Sequence, residues 1–170
     1  MSSANENLKQ TNINQTENRF SVSVQFEDFD LNTEHASLVG DDRGIGAVVA
    51  FIGMVRDLNL ADDVVALELE HYPGMTEKTL ANIIAEARKR WSLQAARIVH
   101  RVGKMYPGDQ IVLVLTASPH RGDAYEANMF IMDYLKTEAP FWKKEWTPEG
   151  PRWIEARASD DQAAAKWEQQ

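Results

Sequence analysis

The residues best suited to chemistry lie in a run near the C-terminal end, at positions 134–146. This run holds Lys136, Lys143 and Lys144 among large aromatic side chains, with Pro140 between the lysines. Because proline lacks an N–H group and its ring cannot continue a helix, Pro140 predicts that a helix carrying Lys136 ends there. Lys143 is then expected on the strand that follows. Two ammonium groups would thus converge beside aromatic side chains, as an enzyme with an anionic substrate requires.

Two interpretations of this lysine pair stay open from the sequence. Most lysines are solvated surface residues, and Lys136 and Lys143 could be two more of them. A lysine that is partly desolvated or lies beside another cation instead loses proton affinity and becomes a usable base or nucleophile. The helix–proline–strand junction and the aromatic neighbours favour the second interpretation as strongly as residue type favours the first.

Further cationic residues lie where predicted elements begin or end. Residues 118–121, Ser-Pro-His-Arg, end a strand and open a helix, a position where backbone N–H groups and the helix dipole favour an anion. His120 could transfer protons near neutral pH, and Arg121 could clamp a phosphate with two parallel hydrogen bonds. Arg56 follows an apolar strand that could hold it rigidly against a ligand. The alternatives are a helix cap with a surface arginine, and a solvated turn residue.

The composition is that of one ordinary globular domain. The chain has 170 residues, of which 44% are hydrophobic and 26% charged, and its net charge of −8 argues against a general nucleic-acid binder. No apolar run is long enough to span a bilayer, and the polar N-terminus does not resemble a secretory signal. Cysteine is absent, which excludes disulfides and a cysteine nucleophile and is compatible with the cytoplasm.

Apolar periodicity predicts an α+β fold behind a polar tail. Residues 1–18 are predicted to be disordered and residues 19–170 to form the domain. Strands are expected at 20–26, 45–55, 64–71, 96–102, 110–117, 141–146 and 152–156, and helices from Asn32 or Thr33 to Val39, from Thr76 to Trp91, from Gly122 to Lys136 and at the C-terminus. The strand at 45–55 is expected to be buried, with Gly46 and Gly53 marking a bend or a close backbone approach.

Several kinds of site are not indicated by the sequence. Glu70 and His71 fall on opposite faces of a strand and do not make a metal site, and no paired-histidine spacing occurs. The phosphate-binding loop, the dinucleotide fingerprint and the nucleophile elbow are all missing. The sequence therefore predicts no metal and no resident cofactor. His100 is expected to be a core or interface histidine.

Several segments, in one order, resemble the family of large, catalytic subunits of molybdopterin synthase. They are GAVVAFIGMVR at 46–56, LEHYPGM at 69–75, HRVG at 100–103, PGD at 107–109, HR at 120–121 and KTEAPFWKKE at 136–145. The resemblance extends from about Phe20 to the C-terminus and leaves the polar tail outside. It implies an α/β hammerhead fold with an additional antiparallel β-sheet.

The resemblance also implies an activity and partners. Members of this family form a homodimer at the centre of a heterotetramer, and each binds a small ubiquitin-like subunit whose C-terminus is activated as a thiocarboxylate. Two sulfur atoms are transferred to cyclic pyranopterin monophosphate, which yields the dithiolene of molybdopterin during molybdenum cofactor biosynthesis. The chain would thus be a sulfurtransferase that holds no metal of its own and binds neither nucleic acid nor membrane.

The same resemblance assigns roles to individual residues. Lys136 and Lys143 are implied to be catalytic, with Lys136 nearest the terminal carbonyl of the small subunit's tail. The implied substrate-binding residues are Phe51, Arg56, His120, Arg121 and Arg157. Phe141 and Trp142 are implied to form a further wall of the pocket. Part of this pocket is implied to come from the neighbouring subunit.

Two other classes of function remain as alternatives. A non-catalytic adaptor could bind a ubiquitin-like tail in a groove without a cationic pocket. An RNA-binding protein could use the basic and aromatic run as a stacking platform, although the negative net charge argues against this.

Overall fold

The computed structural model describes residues 19–56, 64–154 and 158–168. The predicted tail, residues 1–18, lies outside them. No helix in the described ranges is long and apolar enough to cross a membrane.

The described residues form strands and helices in mixed order. The strands are β1 (Phe20–Gln25), β2 (Ala47–Met54), β3 (Ala66–His71), β4 (Ala95–Arg101), β5 (Gly103–Met105), β6 (Gln110–Ser118), β7 (Phe141–Thr147) and β8 (Gly150–Ile154). The helices are α1 (Leu31–Val39), α2 (Met75–Arg90), α3 (Arg121–Glu138) and α4 (Ala158–Ala165). The predicted elements are present to within a few residues, and the α+β class is confirmed.

The first sheet, called sheet 1, has the order β1-β4-β6-β2. Its strand β1 runs parallel to β4, whereas β4 and β2 run antiparallel to β6. Helices α2 and α3 cover one face of sheet 1, where Leu80, Ile98, Val114 and Phe130 are buried together. Helix α1 covers the other face over Leu38, Val99 and Leu113.

The second sheet, called sheet 2, has the order β5-β3-β7-β8 and is antiparallel throughout. Its short strand β5 follows β4 after one residue and carries the chain from sheet 1 to sheet 2. Strand β5 was not predicted from the sequence, because three residues are too few to show an alternating pattern. The chain changes direction at Gly103, whose φ of +84° is rarely adopted by residues that carry a Cβ.

The burial predicted for the strand at 45–55 is wrong in part. Strand β2 is the last strand of sheet 1, and it leaves Phe51 40% and Met54 46% exposed. An edge position depends on the order of the strands, which apolar composition does not reveal. The predicted close approach at Gly46 is confirmed, since a Cβ there would lie 2.1 Å from the carbonyl oxygen of Pro119.

The predicted helix caps are also wrong. Asp30 caps α1 by accepting a hydrogen bond of 2.7 Å from the backbone N–H of Thr33. The pKa of Asp30 is lowered from its ordinary value, most by a hydrogen bond from the Thr33 hydroxyl and next by the one from this N–H group. Gly74 precedes α2, and Thr76 lies fully buried inside its first turn.

Candidate active site

The junction between α3 and β7 brings the predicted catalytic lysines to one region. Helix α3 ends at Glu138, Ala139 is extended, and β7 begins at Phe141, so Pro140 ends the helix as predicted. Lys136 lies exposed in the last turn of α3, where a cation complements the partial negative charge of the helix C-terminus. Lys143 lies on β7, two residues beyond Phe141.

Strand β7 directs Lys143 and Lys144 to opposite faces of sheet 2. Lys143 pairs with Leu69 and belongs to the face that carries buried Leu67 and Leu69, which we call the inner face. Lys144 lies on the outer face, where it forms an ion pair with Glu70. The hydrogen bond to Glu70 raises the pKa of Lys144.

The aromatic residues of β7 divide in the same way. Phe141 faces inward and packs against the core of sheet 1. Trp142 pairs with Glu70 and faces outward, 47% exposed. The predicted Phe141-Trp142 wall is therefore split between the two faces, because neighbouring side chains of a strand point in opposite directions.

His100 packs against Phe141 at this junction. The two rings are stacked, with centroids 3.9 Å apart and an interplanar angle of 21°. His100 is 5% exposed, and its Nδ1 lies 2.9 Å from the carbonyl oxygen of Arg101, so Nδ1 carries the proton of the neutral ring. The pKa of His100 is lowered from 6.5 to about 4, chiefly by burial and also by the charges of Lys136 and His71, against the opposing hydrogen bond to Arg101. The ring is neutral at pH 7.

His71 is the neighbour of Phe141 within sheet 2. It ends β3 and pairs with Phe141, and its Nε2 lies 3.7 Å from Oε1 of Glu77 on α2. Neither His71 nor His100 was predicted to be a site residue. Strand alternation places His71 on the face of Leu69 and His100 on the face of Ile98, but it does not show that these two faces meet at Phe141.

Arg56 lies at the same end of sheet 1 as this junction. Next to it, Val55 donates a hydrogen bond of 2.8 Å to the carbonyl oxygen of Asp109 and accepts one of 2.9 Å from the N–H group of Gly108. These bonds hold the backbone before Arg56 against the turn that leads into β6. The arginine side chain itself is exposed.

Phe51 is an exposed aromatic residue on the α3 side of sheet 1. It pairs with Val114, whose side chain is part of the core beneath α3. Its ring lies 3.5 Å from the position that a Cβ on Gly53 would take. This places Phe51 between the middle of α3 and the end of the sheet near Lys136.

His120 and Arg121 lie at the other end of α3. His120 is the N-cap residue, its N–H group donates a hydrogen bond of 3.3 Å to Oγ of Ser118, and both His120 and Arg121 are exposed. With a rise of 1.5 Å per residue, Arg121 and Lys136 are separated by roughly 22 Å along the helix. One protomer therefore does not bring these two cations together.

The remaining predictions for the site are not settled by this geometry. Arg157 lies outside the described residues. In the described part of the chain, no three His, Asp or Glu side chains lie close enough to hold a metal ion, and the absence of a metal stays a prediction. A groove of about 1150 Å³ between β1 and α1 contains none of the predicted site residues and lies on the α1 side, so its size does not make it the active site.

Comparisons with known proteins agree with the fold and with the motifs. The chain is 58% identical over 146 residues to a molybdopterin synthase catalytic subunit from Ralstonia nicotianae, covering 86% of this chain and 83% of that protein. It superimposes with a TM-score of 0.76 on the molybdopterin biosynthesis MoaE protein from Burkholderia ambifaria, at 56% identity, covering 87% of this chain and 97% of the other.

A more distant structure gives the same result. Molybdopterin synthase from Staphylococcus aureus superimposes with a TM-score of 0.73 at 34% identity, covering 78% of this chain and 96% of that chain. The profile of the MoaE protein family matches residues 24–138, which span β2, β4 and β6 of sheet 1 and the whole of α3. The chain therefore belongs to the MoaE protein family.

Proposed function

We propose that this chain is the catalytic subunit of a molybdopterin synthase. It transfers sulfur from the C-terminal thiocarboxylate of a small ubiquitin-like subunit to cyclic pyranopterin monophosphate, forming the dithiolene of molybdopterin. The observation that supports this proposal is the α3–Pro140–β7 junction, with Lys136 in the last turn of α3 and Lys143 two residues beyond Phe141, whose ring stacks on His100. The names of the relatives support the same activity.

The cations have a clear electrostatic task in this reaction. The thiocarboxylate and the cyclic phosphate are both negative, and their repulsion grows as water is excluded from the site. Lys136, Lys143 and Arg56 offset this repulsion and orient the two anions.

The two lysines have different positions and therefore different roles. Lys136 acts on the terminal carbonyl of the tail, as a proton donor and acceptor or by stabilising the tetrahedral intermediate. Lys143, on the inner face of sheet 2, assists it and binds the phosphate or the tail. Phe51 provides an apolar surface for the pterin or the tail.

We infer further that a second copy of the chain completes the pocket. His120 and Arg121 lie roughly 22 Å from Lys136 along α3, too far for one small substrate to contact both ends within one protomer. The exposed apolar side chains between these ends support pairing of two copies, since edge strands and contiguous apolar patches are typical interaction surfaces. They are Phe51 and Met54 on β2 with Tyr125 and Met129 on α3. His120 of one copy would then protonate a leaving oxygen in the site of the other, and Arg121 would bind the phosphate.

The second partner is the small thiocarboxylated subunit. The relatives are named as subunits, which means that those proteins act within an assembly. Two small subunits on a central homodimer give the heterotetramer expected from the sequence. The role of Arg157 and the cytoplasmic location also stay predictions.

Reconstitution tests the function directly. The chain is mixed with the thiocarboxylated small subunit and cyclic pyranopterin monophosphate, and molybdopterin is assayed. We expect product from the wild type and a loss of at least about 100-fold for Lys136→Ala, whose side chain is exposed and contributes little to the fold.

A matched control makes the outcome specific. Lys89 is another exposed helix lysine, paired with Glu86 at 3.0 Å, and Lys89→Ala should keep wild-type activity. A stable complex that forms no product would favour the adaptor function instead. Wild-type turnover by a folded Lys136→Ala protein would refute the role of Lys136.

A further inference from the structure

We propose that the outer edge of β1 binds an extended segment of another protein, with the pattern acidic–x–apolar–x–acidic, as an added strand of sheet 1. Strand β1 is the edge strand opposite β2, and no strand of the described ranges lies on its other side. Its six residues include no proline and no charged side chain, two devices by which edge strands avoid pairing. This edge contains none of the residues proposed for sulfur transfer.

The hydrogen bonds to β4 show which backbone groups of β1 face outward. The carbonyl oxygens of Arg19 and Gln25 accept hydrogen bonds of 2.9 Å from N–H groups of β4 and of the residue that follows it. Because the backbone groups of successive strand residues point to opposite sides, those of Phe20, Val22 and Val24 point away from β4. The N–H and C=O groups of these three residues can therefore pair with an added strand.

Grooves flank this edge on both faces of sheet 1. On the α2 side a groove of about 480 Å³ is lined by Phe20 and Val22 of β1 and by Ala81 and Ile84 of α2. Every second side chain of an added strand points to this side, and an apolar one matches the apolar lining. The groove of about 1150 Å³ on the α1 side leaves room for the side chains between them.

Two cations line the groove on the α2 side. The guanidinium carbon of Arg88 lies 3.8 Å from the centroid of the Phe20 ring, and Lys78 lies on the same helix; both side chains are exposed. Within the described ranges, neither cation has a carboxylate at ion-pair distance. Arg88 and Lys78 are separated by roughly 15 Å along α2, and strand residues four apart by roughly 13 Å. Acidic residues on either side of the apolar one therefore have the spacing to meet both cations.

Fluorescence anisotropy with labelled peptides measures this interaction in the full chain. The capped peptide Ser-Glu-Ser-Val-Ser-Glu-Ser is compared with Ser-Lys-Ser-Val-Ser-Lys-Ser, which keeps the strand pattern and reverses the charge. We expect the acidic peptide to bind at least about 10-fold more tightly, and Lys78→Gln and Arg88→Gln each to weaken its binding several-fold. Lys89→Gln is the control, because Lys89 lies on the same helix but pairs with Glu86 at 3.0 Å, and it should leave the affinity unchanged. Equal affinities for the two peptides, or no binding of either, would overturn the proposal.

Amide hydrogen exchange tests whether the peptide adds as a strand. We expect the acidic peptide to slow exchange at Phe20, Val22 and Val24 by at least about 10-fold, and to change little at Ser21 and Ser23, whose N–H groups point to β4. Binding without this alternation would show charge pairing only and would refute strand addition. Slow exchange of the three outward amides without peptide would mean that a second copy or another segment of the chain covers the edge, which would also refute the proposal.

Discussion

Thr76 and Pro140 are joined by a hydrogen bond of 3.1 Å from the threonine hydroxyl to the proline carbonyl oxygen, across 64 residues of sequence. The same hydroxyl accepts a hydrogen bond of 3.1 Å from the backbone N–H group of Tyr72. Thr76 is fully buried. One side chain of α2 thus fixes the end of β3 and the peptide that separates Lys136 from Lys143.

Replacing Thr76 by valine should therefore weaken both the fold and the site. Thr76→Val keeps the shape of the side chain but leaves the Tyr72 N–H and the Pro140 carbonyl without this partner. We expect a loss of about 1–3 kcal/mol in the free energy of unfolding, measured by urea titration, together with a lower kcat. Thr76→Ser keeps the hydroxyl, so its free energy of unfolding and its kcat should both fall less than those of Thr76→Val. Wild-type kcat in Thr76→Val would show that the position of the two lysines does not depend on this bond.

The low pKa of His100 predicts how stability depends on pH. The folded pKa of about 4 lies below the ordinary 6.5, so between these values the unfolded chain binds a proton that the folded chain does not. The stabilisation is complete above pH 6.5 and is lost as the pH falls towards 4, by roughly 3 kcal/mol at most.

The comparison with His100→Gln isolates this contribution. Asp30, Asp42 and Glu86 also have lowered pKa values and lose stabilisation in acid, but they do so in both proteins. Urea unfolding at pH 7 and pH 5 should show a larger fall for the wild type than for the variant. Equal falls would mean that His100 is not held neutral by the fold.

Gly46 is expected to tolerate no side chain. A Cβ would lie 2.1 Å from the carbonyl oxygen of Pro119, so Gly46→Ala must push apart β2 and the turn before His120. We expect a loss of about 2 kcal/mol or more in thermal or urea unfolding. At Gly122, in the first turn of α3, nothing lies within 4 Å of the added Cβ. Gly122→Ala should therefore be neutral or slightly stabilising, and similar stabilities for the two variants would contradict the close approach.

The local parts of the site were predictable from the sequence. Pro140 indicates the end of α3, and alternation along β7 separates Lys143 from Lys144, because both follow from backbone geometry over a few residues. The stack of His100 on Phe141 could not be predicted in this way, since β4 and β7 belong to different sheets. The edge position of β2 could not be predicted either, because it depends on the order of the strands in sheet 1.

The distance between the two groups of cations follows from the length of the predicted helix. A predicted helix from Gly122 to Lys136 already places its two ends about 20 Å apart. Convergence of Arg121 with Lys136 was expected from charge and from the family resemblance. The structure places these residues at opposite ends of α3 within a protomer. A pocket that uses both therefore requires a second copy of the chain.

This requirement predicts that two inactive variants restore activity when they are mixed. In a dimer of one Lys136→Ala and one Arg121→Ala chain, one site receives Lys136 and Arg121 intact from different copies, and the other site loses both. With free exchange, half of the dimers are mixed and each has one intact site, so activity should return to about a quarter of the wild type. Two affinity tags on the co-expressed variants allow the mixed dimer to be isolated and its molybdopterin formation measured. If the mixed dimer is as inactive as its parents, both residues serve a site within one protomer and the second copy does not complete the pocket. Wild-type activity of the Arg121→Ala homodimer would instead remove Arg121 from the site altogether.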